Sequence, residues 1–396
     1  MKILIADDDL TSRRILETNL HKRGYEVIAA VDGNEAWEIL MRPDAPKLAL
    51  LDWMMPGIDG VEICRRFRQM KGQDSTYLIL LTALARKDNI VEGLSAGADD
   101  YIIKPFDRDE LHARLRVGQR VLDLQAAQKE QFTQLQDSYA QIEQGLKAAA
   151  DVQRSLLPRE LPRIPGVEFA WTYEACDYVA GDIFNVFQLD ESHIGLYVLD
   201  VSGHGVPAAL LSVSLSRVLT PFIEQGGILM RYEEDRGPCE IVSPGEVAEQ
   251  LNLRFPVMSQ TGQYFTFIYG ILDFSSRIFR FVRAGHPDPV LITGGQARIL
   301  ENVGSLPVGM LESVHYEENS IQLAPGDELI LYTDGIIEAT DPLGTQFGLD
   351  KMLAILSSRK CETIATDIQA LHQHLEDFVE GLPKKDDMTV LGFKVL

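Results

Sequence analysis

From residue 2 to about 106, short apolar runs alternate with helical spacings: KILIA, YEVIAAV, KLALLD, YLILLTA and DDYIIK are separated by segments such as 12–23 and 61–70. Short runs set between amphipathic stretches predict strand-helix alternation, and so a parallel sheet with helices on both faces. Between about 107 and 157 Pro disappears and Gln, Ala, Leu and Glu dominate. Apolar residues there recur at Phe132, Leu135, Tyr139, Ile142, Leu146 and Ala149. Steps alternating between three and four are the seam of a coiled coil, in which Gly118 and Gly145 are weak points for bending or fraying. Pro158, Pro162, Pro165 and Gly166 end the helix. From Val167 onward VEFAWTYEA, DIFNVFQLD, HIGLYVLDVSG, YFTFIYGILDF, IFRFVRAG, PVLITGG and DELILYTDG read as strands, with helices near 207–224, 244–254, 349–358 and 363–378. That pattern predicts a β-sandwich with helices over its faces. The stretch 224–242, containing ILMRYEEDRGPCEIV, predicts a hairpin insertion. The fold class is multidomain, α/β followed by α+β: a parallel sheet with helices, a helical coiled-coil linker, and a β-sandwich flanked by helices.

Composition narrows the partners. With 37 Lys plus Arg against 59 Asp plus Glu, the net charge is −22, and such a surface repels phosphate backbones and anionic lipid heads. Neither nucleic acid nor membrane is an expected partner, and no apolar run approaches a membrane span. The apolar start KILIA is too short for a signal peptide. Cys64, Cys176, Cys239 and Cys361 lie far apart with no C-x-x-C pair, which suggests neither a zinc site nor a disulfide framework and fits a reducing cytoplasm.

Asp7 and Asp8 close the first predicted strand, Asp52 the third, and Thr82 and Lys104 stand at the ends of the fourth and fifth. A parallel sheet gathers these ends at one edge, where ligands bind. Clustered carboxylates raise one another's pKa unless a divalent cation sits among them, and Mg²⁺ is the natural occupant. Asp52 is then a competent nucleophile toward a phosphoryl group, Thr82 can hydrogen-bond the phosphoryl oxygens, and Lys104 supplies positive charge. These residues, in ADDD, DWMMPGIDG, LTA and YIIKPF, resemble a two-component response-regulator receiver domain over 1–122. The resemblance implies a flavodoxin-like (βα)5 fold and phosphorylation of Asp52 by a histidine kinase. It also implies Mg²⁺ held by Asp7, Asp8, Asp52 and the Met54 carbonyl, and a switch of Thr82 and Tyr101 beside Lys104.

Aspartates recur in the last section: Asp182 in VAGDIF, Asp200 in YVLDVSGHG, Asp334 in LILYTDGIIEA, and Asp386 with Asp387 in KKDDMTVLGF. All are read as following strands. Glycines beside such residues let backbone carbonyls approach an ion, and hard oxygen ligands without His or Cys suit Mg²⁺ or Mn²⁺. Two such ions can activate a water for in-line attack on phosphorus, which is phosphomonoester hydrolysis. QRSLLP, DVSGHG with PAAL, AGHP and YTDGIIE resemble the SpoIIE-type branch of the metal-dependent, protein phosphatase 2C-like (PPM) phosphatases. The resemblance implies catalytic metal ligation by Asp182, Asp200 with the Val201 carbonyl, Asp334 and Asp386, holding two Mn²⁺ or Mg²⁺. It also implies a phosphoserine or phosphothreonine substrate on a STAS-domain anti-sigma-factor antagonist. The common pattern G-G-D-x-x-D is altered here, with Ala180 for the first Gly and Asn185 for the second Asp, and Asn185 is read as a variant position outside the core carboxylates. His204 and His286 are read as structural hydrogen-bonding residues. AGDIF also approaches the GGDEF signature of diguanylate cyclases, but Ile183 replaces the acidic residue and no cyclase motif explains DVSGHG or YTDGIIE.

The whole chain is therefore expected to hold a receiver at 1–122, a helical coiled-coil linker at 123–160 that pairs with its copy in a homodimer, and a phosphatase at 161–396. The expected function is a cytoplasmic response regulator, acted on by a sensor histidine kinase or phosphotransfer protein, that controls protein dephosphorylation. The alternative is an adaptor that has lost catalysis and only binds a regulatory protein. A DNA-binding output is disfavoured by the net charge and the lack of a basic recognition helix.

Overall fold

The structure, a computed structural model, describes residues 1–70, 76–83, 87–158, 160–222, 227–233, 237–256, 262–358 and 363–396. It divides into two units, Met1–Ala140 and Gln141–Leu396.

In the first unit, strands β1 (Lys2–Ala6), β2 (Glu26–Ala30), β3 (Leu48–Asp52), β4 (Tyr77–Thr82) and β5 (Asp100–Ile103) alternate with helices α1 (Leu10–His21), α2 (Gly33–Leu40), α3 (Gly60–Gln69) and α4 (Lys87–Ser95). The sheet is parallel in the order β2-β1-β3-β4-β5, the flavodoxin-like arrangement. Successive side chains of a strand point to opposite faces, so two cores form. Leu4, Ala6, Ala49, Leu51, Leu78 and Leu80 pack on one face, and Ile3, Ile5, Leu48, Leu50, Ile79 and Leu81 on the other. The apolar runs are continuous because both faces are covered.

Helix α5 (Arg108–Arg154) is 47 residues long and unbroken. Phe132, Leu135, Tyr139 and Ile142 of the predicted seam are all exposed. Gly118 is not a weak point, contrary to expectation. A Cβ there would stand 2.6 Å from the Tyr77 ring and 3.1 Å from Leu48, so glycine lets the helix lie close on the sheet. At Gly145 the space is open.

The second unit contains two five-stranded antiparallel sheets. One has the order β15-β12-β11-β8-β7, from β7 (Ile183–Gln188), β8 (His193–Val201), β11 (Phe265–Asp273), β12 (Ile278–Ala284) and β15 (Glu318–Gln322). The other runs β14-β13-β16-β17-β6, from β6 (Val167–Glu174), β13 (Val290–Thr293), β14 (Gln296–Ile299), β16 (Glu328–Tyr332) and β17 (Met388–Val395). Between them Phe279 meets Phe393 at 5.4 Å and Trp171 meets Phe184 at 5.1 Å. Outside the second sheet, α9 (Leu349–Ser357) and α10 (Ile364–Val379) cover Ile330, Tyr332, Met388 and Val390. Helices α6 (Val206–Val218) and α7 (Pro244–Arg254) lie on the first sheet, and the short α8 (Asp334–Glu338) follows β16. The expected hairpin is present as β9 (Met230–Glu233) against β10 (Gly237–Ile241); positions 224–226 and 234–236 lie outside the described residues. Strands β14 and β15 lacked a sequence signal, being short, half-exposed edge strands. No helix among the described residues is long and apolar enough to cross a membrane.

Candidate functional site

In the first unit β1 and β3 end side by side, with Ala6 in register with Leu51, so Asp7 and Asp52 leave the sheet as neighbours. Asp7 is fully buried and accepts hydrogen bonds from Asp9 N (3.0 Å) and Ser12 Oγ (2.6 Å). Asp9 caps α1 by accepting from Ser12 N at 2.7 Å. Lys104 Nζ lies between Asp7 Oδ2 (2.8 Å) and Asp52 Oδ2 (2.9 Å), while Trp53 N donates to Asp52 Oδ1 (2.9 Å). Burial raises the Asp52 carboxyl, Lys104 opposes that rise, and Asp7 adds to it. Asp7, Asp8 and Asp52 bring carboxylate oxygens within 4.8 Å of one another. Three converging hard oxygen donors, one of them on exposed Asp8, fit a Mg²⁺ that keeps some of its water. Thr82 is buried at the end of β4, and its carbonyl accepts from Lys104 N at 2.7 Å. Tyr101 is half-buried with the Arg114 guanidinium 6.0 Å from its ring centre. The Met54 side chain is exposed.

In the second unit the carboxylates gather at one end of the sandwich, but only Asp334 follows a strand. Asp182 precedes β7, Asp200 lies within β8, and Asp386 and Asp387 precede β17. The expectation that all follow strands fails because neighbouring strands here are antiparallel. One end of an antiparallel sheet collects the starts of some strands and the finishes of others, whereas the parallel first unit collects finishes only.

Asp182 is 1% exposed, and its Oδ2 accepts from Thr333 Oγ1 (2.8 Å) and Thr389 Oγ1 (2.6 Å). Burial, then Asp200 and Asp387, push its carboxyl well above the usual range. Burial and the charges of Asp334, Asp386 and Asp387 push Asp200 to about 7. Burial and mutual repulsion also raise Asp334 and Asp386, with Glu338 adding to both and His204 opposing at Asp386. Among the described residues no Lys or Arg forms an ion pair with any of these aspartates. No three of them bring oxygens within 4.8 Å of one another, so this cage is wider than the first. Oxygen donors that repel one another without an internal cation fit hard divalent ions.

Asp387 organises the surroundings: its carboxylate accepts from Cys176 N (2.8 Å) and Gly181 N (2.6 Å). A Cβ at Gly181 would lie 2.9 Å from the Val201 carbonyl, and one at Gly335 only 2.1 Å from the Asp387 carbonyl. Gln153, near the end of α5 and 4% exposed, donates to the Ala180 carbonyl (2.6 Å) and Ser212 Oγ (3.0 Å) and accepts from Ala180 N (3.0 Å). The linker helix therefore grips the backbone two residues before Asp182. Thr333, Thr389 and Gln153 were not singled out in the sequence, and Asp387 was named there only beside Asp386. The only signals were the Thr beside the aspartates in YTDG and DDMT and the Gln of QRSLLP.

Asn185 pairs in register with Tyr197, whereas Asp200 lies three residues further along β8 and so on the opposite face. Its side chain belongs to the helix-covered face, and its lack of charge removes nothing from the cage. His204 is exposed between Gly203 and Gly205, whose φ of 87° and 78° suit glycine. His286 is 1% exposed, and its Nδ1 lies 2.8 Å from Thr266 Oγ1.

The sequence matches the family described as Stage II sporulation protein E (SpoIIE) over residues 190–396 and the response regulator receiver domain over 3–116. The chain belongs to the SpoIIE family. The SpoIIE match contains Asp200, Asp334 and Asp386 and begins after Asp182. Curated relatives include a probable transcriptional regulator ycf27 of Porphyridium aerugineum, 47% identical over 122 residues, 31% of this chain and 49% of that protein. The phosphate regulon regulatory protein PhoB of Rhizobium meliloti is 42% identical over 115 residues, 29% of this chain and 50% of that protein. The chain thus spans about half the length of the curated relatives it matches. Among solved structures, the SiaA-PP2C domain of Pseudomonas aeruginosa superposes with a TM-score of 0.55 at 22% identity, covering 65% of this chain and 99% of that one. That likeness establishes a PP2C-type fold for the second unit.

Proposed function

We propose that the chain is a response regulator in which phosphorylation of Asp52 controls a metal-dependent serine/threonine phosphatase. The observation that carries this reading is the convergence of Asp182, Asp200, Asp334 and Asp386, all raised in pKa by burial and mutual repulsion. Two Mg²⁺ or Mn²⁺ ions held by these side chains and the Val201 carbonyl would supply Lewis acidity and lower the pKa of bound water. The chain's own residues set where that chemistry happens. Thr333 and Thr389 orient Asp182 before any ligand arrives, Asp387 pins the loop that carries it, and Gly181 leaves room beside the Val201 carbonyl. Preorganised groups of this kind need no rearrangement during reaction.

In the receiver, Asp7, Asp8, Asp52 and the Met54 carbonyl would hold Mg²⁺, and Asp52 accepts phosphate from a sensor histidine kinase or phosphotransfer protein. Lys104, which spans Asp7 and Asp52, must trade a carboxylate partner for the phosphoryl group. Thr82 and Tyr101 report that change. Helix α5 begins in the receiver unit and ends with Gln153 bound to Ala180 and Ser212, so a change at its start has a route to the segment that carries Asp182. SpoIIE family membership supports a phosphoserine or phosphothreonine substrate on a STAS-domain anti-sigma-factor antagonist. The exposed stripe Phe132, Leu135, Tyr139 and Ile142 supports a homodimer through the linker.

The test is p-nitrophenyl phosphate hydrolysis with and without Mn²⁺, before and after treatment with beryllofluoride. Expected are metal-dependent turnover that changes on treatment and its loss in Asp200→Ala and Asp334→Ala. A folded protein with no turnover in any condition would overturn the reading in favour of a binding adaptor.

A further inference from the structure

A cavity of about 290 Å³ adjoins the carboxylate cage and is lined by Glu338, Thr340, Gln346, Val379, Lys385 and Asp386 among others. Asp386 belongs to the cage and Glu338 acts on it, raising both Asp334 and Asp386. A ligand that delivers a phosphoryl group to the cage therefore has this cavity for the atoms that follow.

The cavity carries two lysines that differ in their commitments. Lys384 is tied to Glu174 and lies 2.9 Å from Glu376. Lys385 is exposed and, among the described residues, has no ion pair. Of the two lysines that line the cavity, Lys385 is thus the one without a carboxylate partner among the described residues, in a chain whose net charge is −22. Elsewhere in the lining, Thr340 and Gln346 form a β-bridge that closes a turn. Asp341 Oδ1 accepts from Leu343 N (2.9 Å) and Thr345 N (2.8 Å), which braces that turn. The turn holds out Leu343, 90% exposed. Leu343 sits on the turn whose ends, Thr340 and Gln346, line the cavity, and so offers an apolar contact to a substrate large enough to reach past the cavity.

We infer that this cavity is the subsite for the polypeptide flanking the phosphorylated residue, with Lys385 pairing to an acidic side chain of the substrate and Leu343 packing against its surface. The inference rests on the phosphatase reading above and deepens it by assigning a substrate class: phosphoproteins with acidic residues beside the phosphorylated one. Lys385 is then a specificity residue.

The test uses the full chain and two fluorescein-labelled peptides in which a non-hydrolysable phosphonate replaces phosphoserine, one flanked by glutamates and one by lysines. Fluorescence anisotropy in Mn²⁺ measures their binding to the native protein and to Lys385→Glu. The native protein should favour the glutamate peptide by about fivefold, the equilibrium equivalent of one partly exposed ion pair. Lys385→Glu should abolish or reverse that preference. Leu343→Ser should weaken a phosphorylated folded protein substrate more than either peptide. Equal binding of both peptides by the native protein, or a preference unchanged in Lys385→Glu, would overturn the subsite. Because binding needs no turnover, native protein inactive on p-nitrophenyl phosphate but showing the charge-dependent preference would sink the phosphatase reading and leave the subsite standing.

Discussion

Thr333, which caps α8 just after β16, and Thr389 on β17 take the same oxygen of Asp182, while Thr389 N donates to Thr333 Oγ1 at 3.0 Å. A buried carboxylate costs several kcal/mol unless its lone pairs are satisfied, and two hydroxyls meet that need without neutralising the charge. The cage thus keeps its appetite for cations. His286 shows the opposite treatment. Burial, with Arg283 nearby, pushes its imidazole down to about 3, so it stays neutral in the folded chain where an unfolded chain takes up a proton near pH 6.5. Stability is therefore lost as pH falls from about 6.5 toward 3, by up to about 1.4 kcal/mol per pH unit from this group. His286→Asn should be less stable than the native chain at pH 7.5 but decline less steeply in acid, so that the gap narrows by pH 4.5. Urea midpoints at several pH values check this, and parallel curves would show that His286 is not the buried neutral group described.

At the scale of the element, helix α5 serves two structures at once. Its first turns pack on the parallel sheet through Leu111 and Leu115, and its last on the second unit, Ala150 against Val179 and Ala209 and Gln153 against Ala180. Between them the apolar seam is exposed, Phe132 at 60% and Tyr139 at 68%. A continuous helix transmits displacement along its axis because every turn is hydrogen-bonded to the next. Replacing two seam residues in Leu135→Glu/Ile142→Glu places like charges in any paired seam and should convert a dimer to a monomer by sedimentation, with helicity by circular dichroism retained. A dimer that survives would place the contact on another element.

For the whole molecule, two carboxylate clusters of different design are carried on one chain. The receiver site has its own cation, Lys104, within 3 Å of two carboxylates, as its 2.8 and 2.9 Å contacts show; the phosphatase cage has none among the described residues. The first offsets its carboxylates with a cation of its own chain, whereas burial and mutual repulsion raise every carboxyl of the second, so that it holds its protons more tightly than free carboxyls do. Asp52→Ala should remain folded and keep its Mn²⁺-dependent hydrolysis at the unphosphorylated level, but lose any response to acetyl phosphate. Phosphate-affinity electrophoresis together with p-nitrophenyl phosphate turnover measures both. A response that persists in Asp52→Ala would move the phosphoryl-accepting residue elsewhere.

The sequence by itself determined the types of most elements, though not the edge strands β14 and β15, and with them both sheet classes and the receiver cluster. Period-two and continuous apolar runs report burial directly, and in a parallel sheet every strand finish lies at one edge, so Asp7, Asp52, Thr82 and Lys104 could be placed together from strand order alone. The motifs also named the four cage carboxylates. Only the tertiary structure decided what surrounds them. Thr333 and Thr389 lie 151 and 207 positions from the Asp182 they hold, and Asp387 lies 206 from Gly181; no local pattern encodes contacts made across two sheets. The same holds for Asn185, which the motif marks only as a variant position outside the core carboxylates. Its face of the sheet follows from the register of β7 on β8, and that register is set by which residues the sandwich buries.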